Sequence, residues 1–213
     1  MEDLLELYEA PLDKAEPVVC LDERPIVLHD EKRQSRPMRS GKPLRVDYEY
    51  VRCGTANAFC IVEPKAGRHM VLATKCRKGR DFAQALSRVN RRYRNARKIH
   101  LVLDNLSTHS KKSVVDRFGA ERGEQLWSRF KFHFTPKHAS WLNQAEIQIG
   151  MLSRECLQRR ISNMSMLVRE TKAWAKSADR DRRVFRWGFT RKKARKIFRY
   201  QPRKRSRNSL SEH

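Results

Sequence analysis

The spacing of apolar residues changes from segment to segment along the chain, and each change marks an element. Leu4, Leu5, Leu7 and Tyr8 predict a short amphipathic helix over residues 2–9, stopped by Pro11. Residues 18–21 form a continuous apolar run, the pattern of a strand buried on both faces, and end at Asp22. Two β-prone runs, 48–55 and 58–62, flank Gly54-Thr55-Ala56-Asn57 and predict a hairpin, and 69–74 predicts a further strand. Phe82, Ala85, Leu86, Val89 and Tyr93 then repeat at helical spacing behind Asp81, an N-cap with Gln84 three residues on. This helix turns Arg88, Arg91, Arg92 and Arg94 outward.

Residues 99–103 are a second strand-length apolar run and end at Asp104; 111–127 read as helix, and 131–135 as a short strand stopped by Pro136. From Leu142 a helix carries Ala145, Ile149, Leu152 and Cys156 on one face, while Asn143, Glu146, Gly150 and Ser153 fall on another. Glu146 is therefore free to turn toward the strand ends. Further on, Ser165 is placed to cap a helix with Leu167, Val168, Thr171 and Trp174, and Thr190 one with Ala194, Ile197 and Phe198. From Pro202 the basic, polar tail has too little apolar content to fold and is expected to be disordered. No internal repeat is present.

Three acids thus sit where a two-metal site needs them: one after each of two buried runs and one on a neighbouring helix, able to hold two divalent ions about 4 Å apart. Charge identifies the substrate class. The 213 residues contain 48 Lys and Arg against 24 Asp and Glu, a net charge of +24, which implies a polyanionic partner, with nucleic acid favoured over a membrane surface. The excess is uneven: residues 51–100 carry 13 basic and 2 acidic groups and 151–213 carry 20 and 5, whereas 101–150 carry 7 and 5. Basic surfaces therefore flank the acids, as expected if they hold a backbone while the acids hold metal. A basic loop over residues 30–43 supplies Arg33, Arg36 and Arg39; Lys137 and the cluster Arg191, Lys192, Lys193, Arg195 and Lys196 complete the expected DNA contacts.

Five cysteines without a C-x-x-C pair indicate neither a disulfide framework nor a zinc ribbon. No signal peptide or membrane-length apolar stretch is found, so a soluble, intracellular protein is expected. Glu23 follows Asp22, and strand alternation points it to the opposite side, outside the metal set. His109 either orients a phosphate or caps the segment after Asp104; His138 either packs the helix entry or takes part in catalysis. Asn143 either orients Glu146 or serves as a cap or a hydrogen-bond partner of a loop, and Trp141 either packs before the helix or stacks on a base.

The blocks Cys20-Leu21-Asp22-Glu23, Leu103-Asp104-Asn105-Leu106-Ser107-Thr108-His109 and residues 136–146, Pro-Lys-His-Ala-Ser-Trp-Leu-Asn-Gln-Ala-Glu, resemble the catalytic blocks of DDE transposases. Residues 47–55 and Trp187-Gly188-Phe189-Thr190 further resemble the bacterial insertion-sequence branch of the mariner-like superfamily, over roughly residues 4–200. The resemblance implies a ribonuclease-H-like fold: an α/β domain with a mixed five-stranded sheet flanked by helices, here with a basic helical C-terminal extension. It implies a linker helix over 1–17, the catalytic domain over 18–160, the extension over 161–200 and the tail over 201–213. Asp22, Asp104 and Glu146 become the catalytic, metal-binding triad for Mg²⁺, with Mn²⁺ as substitute, supported by Asn143 and His109.

The implied function is metal-dependent strand cleavage and strand transfer on double-stranded DNA, both transposon ends and target, by a homodimer in the bacterial cytoplasm, associated with the nucleoid. The 42 positions from Asp104 to Glu146 exceed the shortest family spacings, which a helix-bearing insertion before residue 131 absorbs. Ser107, Gln148 and Gly150 depart from the branch's usual residues. The chain begins where the linker after the family's N-terminal helix-turn-helix region would finish, so end recognition falls to a separate DNA-reading chain or region. The alternative function is a truncated, catalytically inactive DNA-binding remnant.

Overall fold

The computed structural model describes residues 1–33, 38–43 and 47–201. Five strands, β1 (Val18–Glu31), β2 (Tyr50–Glu63), β3 (Arg68–Thr74), β4 (Ile99–Leu103) and β5 (Phe130–Phe134), form one sheet in the order β3-β2-β1-β4-β5. The first three make an antiparallel meander, and β4 and β5 add in parallel. The helices are α1 (Glu2–Glu9), α2 (Gly79–Arg92), α3 (Lys111–Phe118), α4 (Ala120–Ser128), α5 (Ala145–Glu155), α6 (Met164–Arg180) and α7 (Arg191–Phe198). This mixed sheet with helices on both faces is the expected ribonuclease-H-like architecture.

Alternation along the strands builds a core on each face. Val19 and Leu21 of β1, Phe59 and Ile61 of β2, and Leu101 and Leu103 of β4 pack against Phe82, Leu86 and Val89 of α2, Val114 of α3 and Leu126 of α4. On the other face Ala58 and Cys60 meet Leu152 of α5 and Leu167, Trp174 and Ala178 of α6. Beside them Cys20, Val62 and Val102 meet Leu4, Leu5 and Tyr8 of α1, Leu142 and Ala145 before and within α5, and Ala194 of α7. Burying each Leu or Phe contributes about 1.5–3 kcal/mol, so both faces are committed to helices.

Several expectations change on the way from pattern to fold. Residues 48–62 are not a hairpin: β2 is one strand, and its partner across the basic loop is β1. Val27 pairs with Thr55 and His29 with Arg52, so Leu28 faces both Cys53 and Gly54. Gly54 has φ +98° and absorbs the extra residue of a bulge; it is not a turn glycine. The helix expected over 111–127 is two, broken at Gly119 with φ +86°. Helix α2 starts at Gly79, with Asp81 inside its first turn accepting from the Lys78 backbone N–H at 3.1 Å, and the cap of α6 is Asn163, which accepts from Met166 N–H at 2.9 Å in place of Ser165. Thr190 caps α7 as expected.

Candidate active site

Pairing between β1 and β4 joins Val18 to His100, Val19 to Leu101 and Cys20 to Val102, and stops there. Continued by two residues, the register sets Asp22 level with Asp104, on strands about 4.8 Å apart. Asp22 is not at a strand end as expected: β1 continues to Glu31, and it is the pairing with β4 that ends. A carboxylate on β1 and one in the loop leaving β4 therefore meet in the gap where two parallel strands part. Glu146 is exposed in the first turn of α5, the helix packed on the same side as Cys20. Burial, together with the charges of Glu146, Glu23 and Asp104, pushes the Asp22 carboxyl up to about 7 despite the Glu23 backbone N–H donating to Oδ1 at 2.7 Å.

Asn143 is buried at 1 % exposure between Asp22 and α5. Its Nδ2 donates to the Leu21 carbonyl at 2.8 Å and lies 3.3 Å from Asp22 Oδ2, while its Oδ1 accepts from the Ala145 N–H at 3.2 Å. It thus holds the first residue of α5 and orients Asp22, whereas one reading expected it to orient Glu146. Tyr8 of α1 donates to the Leu142 carbonyl at 2.8 Å and fixes the 3₁₀ turn Ser140–Leu142 just ahead of it.

His109 has no exposed side-chain surface, and Glu23 only 4 %. His109 Nε2 is 2.8 Å from Glu23 Oε1, and Nδ1 is 3.0 Å from both the backbone carbonyl and Oδ1 of Asp104. The backbone carbonyl can only accept, so Nδ1 carries a proton, and facing carboxylates favour the imidazolium form of the ring. Burial alone would push its pKa down, but the Asp104 and Glu23 carboxylates raise it to about 10. Only the carbonyl meets hydrogen-bond geometry, which leaves the buried Asp104 Oδ1 without a hydrogen-bond partner. Glu23, Asp104 and His109 offer ligand atoms within 4.8 Å of one another. The carboxylates of Asp104 and Asp22 are hard anionic oxygen donors of the kind Mg²⁺ or Mn²⁺ prefers, the Asp104 Oδ1 being in ionic contact with His109 without a hydrogen bond.

A family model for DDE superfamily endonucleases matches residues 17–168, most of the chain and all three acids. The chain belongs to this family. No curated protein sequence matches it. Among solved structures, this DDE protein is similar to the Mos1 mariner paired-end complex with Mn, with 18% identity and TM-score 0.50 over 85% of this chain and 54% of that one. It is also similar to the Mos1 strand transfer complex (16%, 0.52, 83% and 51%) and to the Mos1 transposase paired-end complex with left transposon end (15%, 0.53, 85% and 56%). The chain spans about half the length of the transposase chains it matches. These likenesses support the ribonuclease-H-like fold.

The basic residues expected to hold DNA divide in this DDE protein. Arg191 is engaged by Glu9, whose Oε2 is 2.8 Å from its Nε, and Arg195 by Glu2 at 2.6 Å, so both clamp α7 to α1. Lys193 donates to the Gly188 carbonyl at 2.6 Å. Lys192, Lys196 and Lys137 are exposed. Arg33 is 75 % exposed and 3.8 Å from Asp47, Arg39 is exposed in a turn paired with Lys42, and Arg36 lies outside the described residues. His138 is exposed with φ +61°, and Trp141, 43 % exposed, meets Phe189 edge to face at 5.1 Å. Gln148 is buried, and its Nε2 donates to the Met70 carbonyl at 3.3 Å.

Glu23 is the residue that sequence reasoning left out. Alternation does send it to the face of Leu21 and Phe82, as expected, but there it binds His109, which returns from the loop after Asp104. Adjacency to Asp22 was its only signal. No helix among the described residues is long and apolar enough to cross a membrane.

Proposed function

We propose that this chain is the catalytic domain of a DNA transposase of the bacterial insertion-sequence branch, cleaving DNA strands and joining the freed 3′ ends to target DNA with divalent metal held by Asp22, Asp104 and Glu146. The observation that supports this reading is the placement of the acids: Asp22 and Asp104 flank the point where the β1–β4 pairing ends, and Glu146 opens α5, which packs on the Cys20 face. Bound Mg²⁺ or Mn²⁺ would supply a metal-activated water and stabilise the departing oxygen.

The chain's own residues do the positioning. Asn143 turns Asp22 toward the gap and ties α5, hence Glu146, to β1. His109 bridges Glu23 and Asp104, with Nε2 at 2.8 Å from one carboxylate and Nδ1 at 3.0 Å from the other. The exposed Lys137, Lys192 and Lys196 contact phosphates of double-stranded DNA. A homodimer is the working form, and a separate DNA-reading chain or region recognises the ends.

Nicking of supercoiled plasmid in Mn²⁺, beside Asp104→Asn and an EDTA control, tests the proposal. Metal-dependent nicking lost in the variant supports it. Tight DNA binding in both proteins with no nicking would instead favour the inactive remnant.

A further inference from the structure

Asp104 sits just beyond the last ladder bond of β4, where the Thr135 N–H donates to the Leu103 carbonyl at 3.0 Å. From there the chain is irregular until the N-cap of α3 at Ser110. Nothing in the sheet fixes the direction of the Asp104 carboxylate. His109 does touch it, and His109 is held on every side. Its backbone N–H closes a turn onto the Leu106 carbonyl at 2.9 Å, the Phe82 ring lies 4.5 Å from its own, and Glu23, on the neighbouring strand β1 and the same face as Phe82, grips Nε2 at 2.8 Å.

We infer that Glu23 and His109 are positioning residues for the metal site, Glu23 holding the His109 ring from the far face of the sheet so that Nδ1 fixes the Asp104 backbone and carboxylate. The inference rests on the reading of Asp104 as a metal ligand. Direct ligation by the pair is the competing role, since their ligand atoms lie within 4.8 Å of those of Asp104. Two features oppose it. Both ring nitrogens already face acceptors, and Glu23 belongs to the face opposite Asp22. A carboxylate that orients a histidine beside a metal ligand resembles the outer partners of metal sites generally, whose loss weakens metal binding about 10- to 100-fold.

Mn²⁺ titration of the full chain, followed by loss of the free-ion paramagnetic resonance signal, separates the roles without using activity. Glu23→Ala should weaken Mn²⁺ binding about 10- to 100-fold. Glu23→Gln, whose amide oxygen accepts the same His109 bond, should recover most of it. Wild-type affinity in Glu23→Ala overturns the inference, and so does a loss in Glu23→Gln as large as in Glu23→Ala, which would mark the carboxylate as a ligand. If Glu23→Ala does not fold, His109→Ala compared with His109→Asn asks the same question, because Asn can return an N–H to the place of Nδ1; equal affinities in the two overturn it. Asp104→Asn keeps the failures apart: wild-type affinity there overturns the reading of the triad itself, whereas loss there with wild-type affinity in Glu23→Ala overturns only the positioning role.

Discussion

Replacing Asp22 with Asn should stabilise the metal-free protein at pH 8 while removing a ligand of the proposed metal site. Raising a carboxylate from its ordinary 3.8 to about 7 opposes the ionised form in the fold by about 4 kcal/mol. The folded protein binds the extra proton, so this group's contribution is greatest below pH 3.8 and is lost as pH rises to about 7. Asn removes the charge and keeps an oxygen for the Glu23 N–H, but its amide group faces Nδ2 of Asn143, which costs about 1 kcal/mol. The net gain at pH 8 is about 3 kcal/mol, or roughly 6–12 °C in Tm for a chain of this size. At pH 5, where the folded Asp22 is itself protonated, the gap should nearly close. Thermal unfolding in EDTA at the two pH values reads this directly, and saturating Mn²⁺ should favour the wild type again by binding only its folded form. A variant less stable than wild type at pH 8 in EDTA, or a gap equal at both pH values, would refute the account of the crowded carboxylates.

Two further outcomes follow from individual contacts. Asn143→Ala removes the cap on Ala145 and the donor to the Leu21 carbonyl, and thermal unfolding should register a loss of about 1–3 kcal/mol, with plasmid nicking falling as Asp22 loses its orienting amide. Lys192→Ala and Lys196→Ala should each reduce the slope of log K against log salt for duplex DNA by about 1, measured by fluorescence anisotropy, whereas Arg195→Ala, engaged with Glu2, should leave the slope unchanged and lower the melting temperature.

The parts of this fold legible in the sequence are those governed by short-range pattern. The spacing of Phe82, Leu86 and Val89 located α2, and the apolar runs ending at Asp22 and Asp104 located the two strands that bring those acids level. What the pattern misread depended on partners far away in sequence. Asp22, Glu23 and Arg24 looked like the end of a strand because a polar stretch cannot be buried on two faces; in fact β1 runs on beside β2, with only Ile26 and Leu28 turned inward. Gly54 resembled a turn until its partner strand was known, when it became a bulge. Arg191 and Arg195 were read by charge alone, and charge alone cannot distinguish a phosphate contact from an ion pair with acids 182 and 193 positions away. Glu23 failed for the same reason, since its role is defined by a histidine 86 positions away.

The α1–α7 clasp sets an order of events during synthesis. Helix α1 precedes its partners in the chain, and its Tyr8 must wait for Leu142, the residue whose carbonyl it holds, and then for Trp187, whose ring lies 5.5 Å from its own. Glu2 and Glu9 wait longer still, for Arg195 and Arg191. Contacts this far apart in sequence are slow to close. The turn that leads into Glu146 therefore gains its full support only when α7 has left the ribosome, so a nascent chain that has already formed its sheet still lacks a finished site. Whatever chemistry the three acids perform is withheld until α7 has docked on α1.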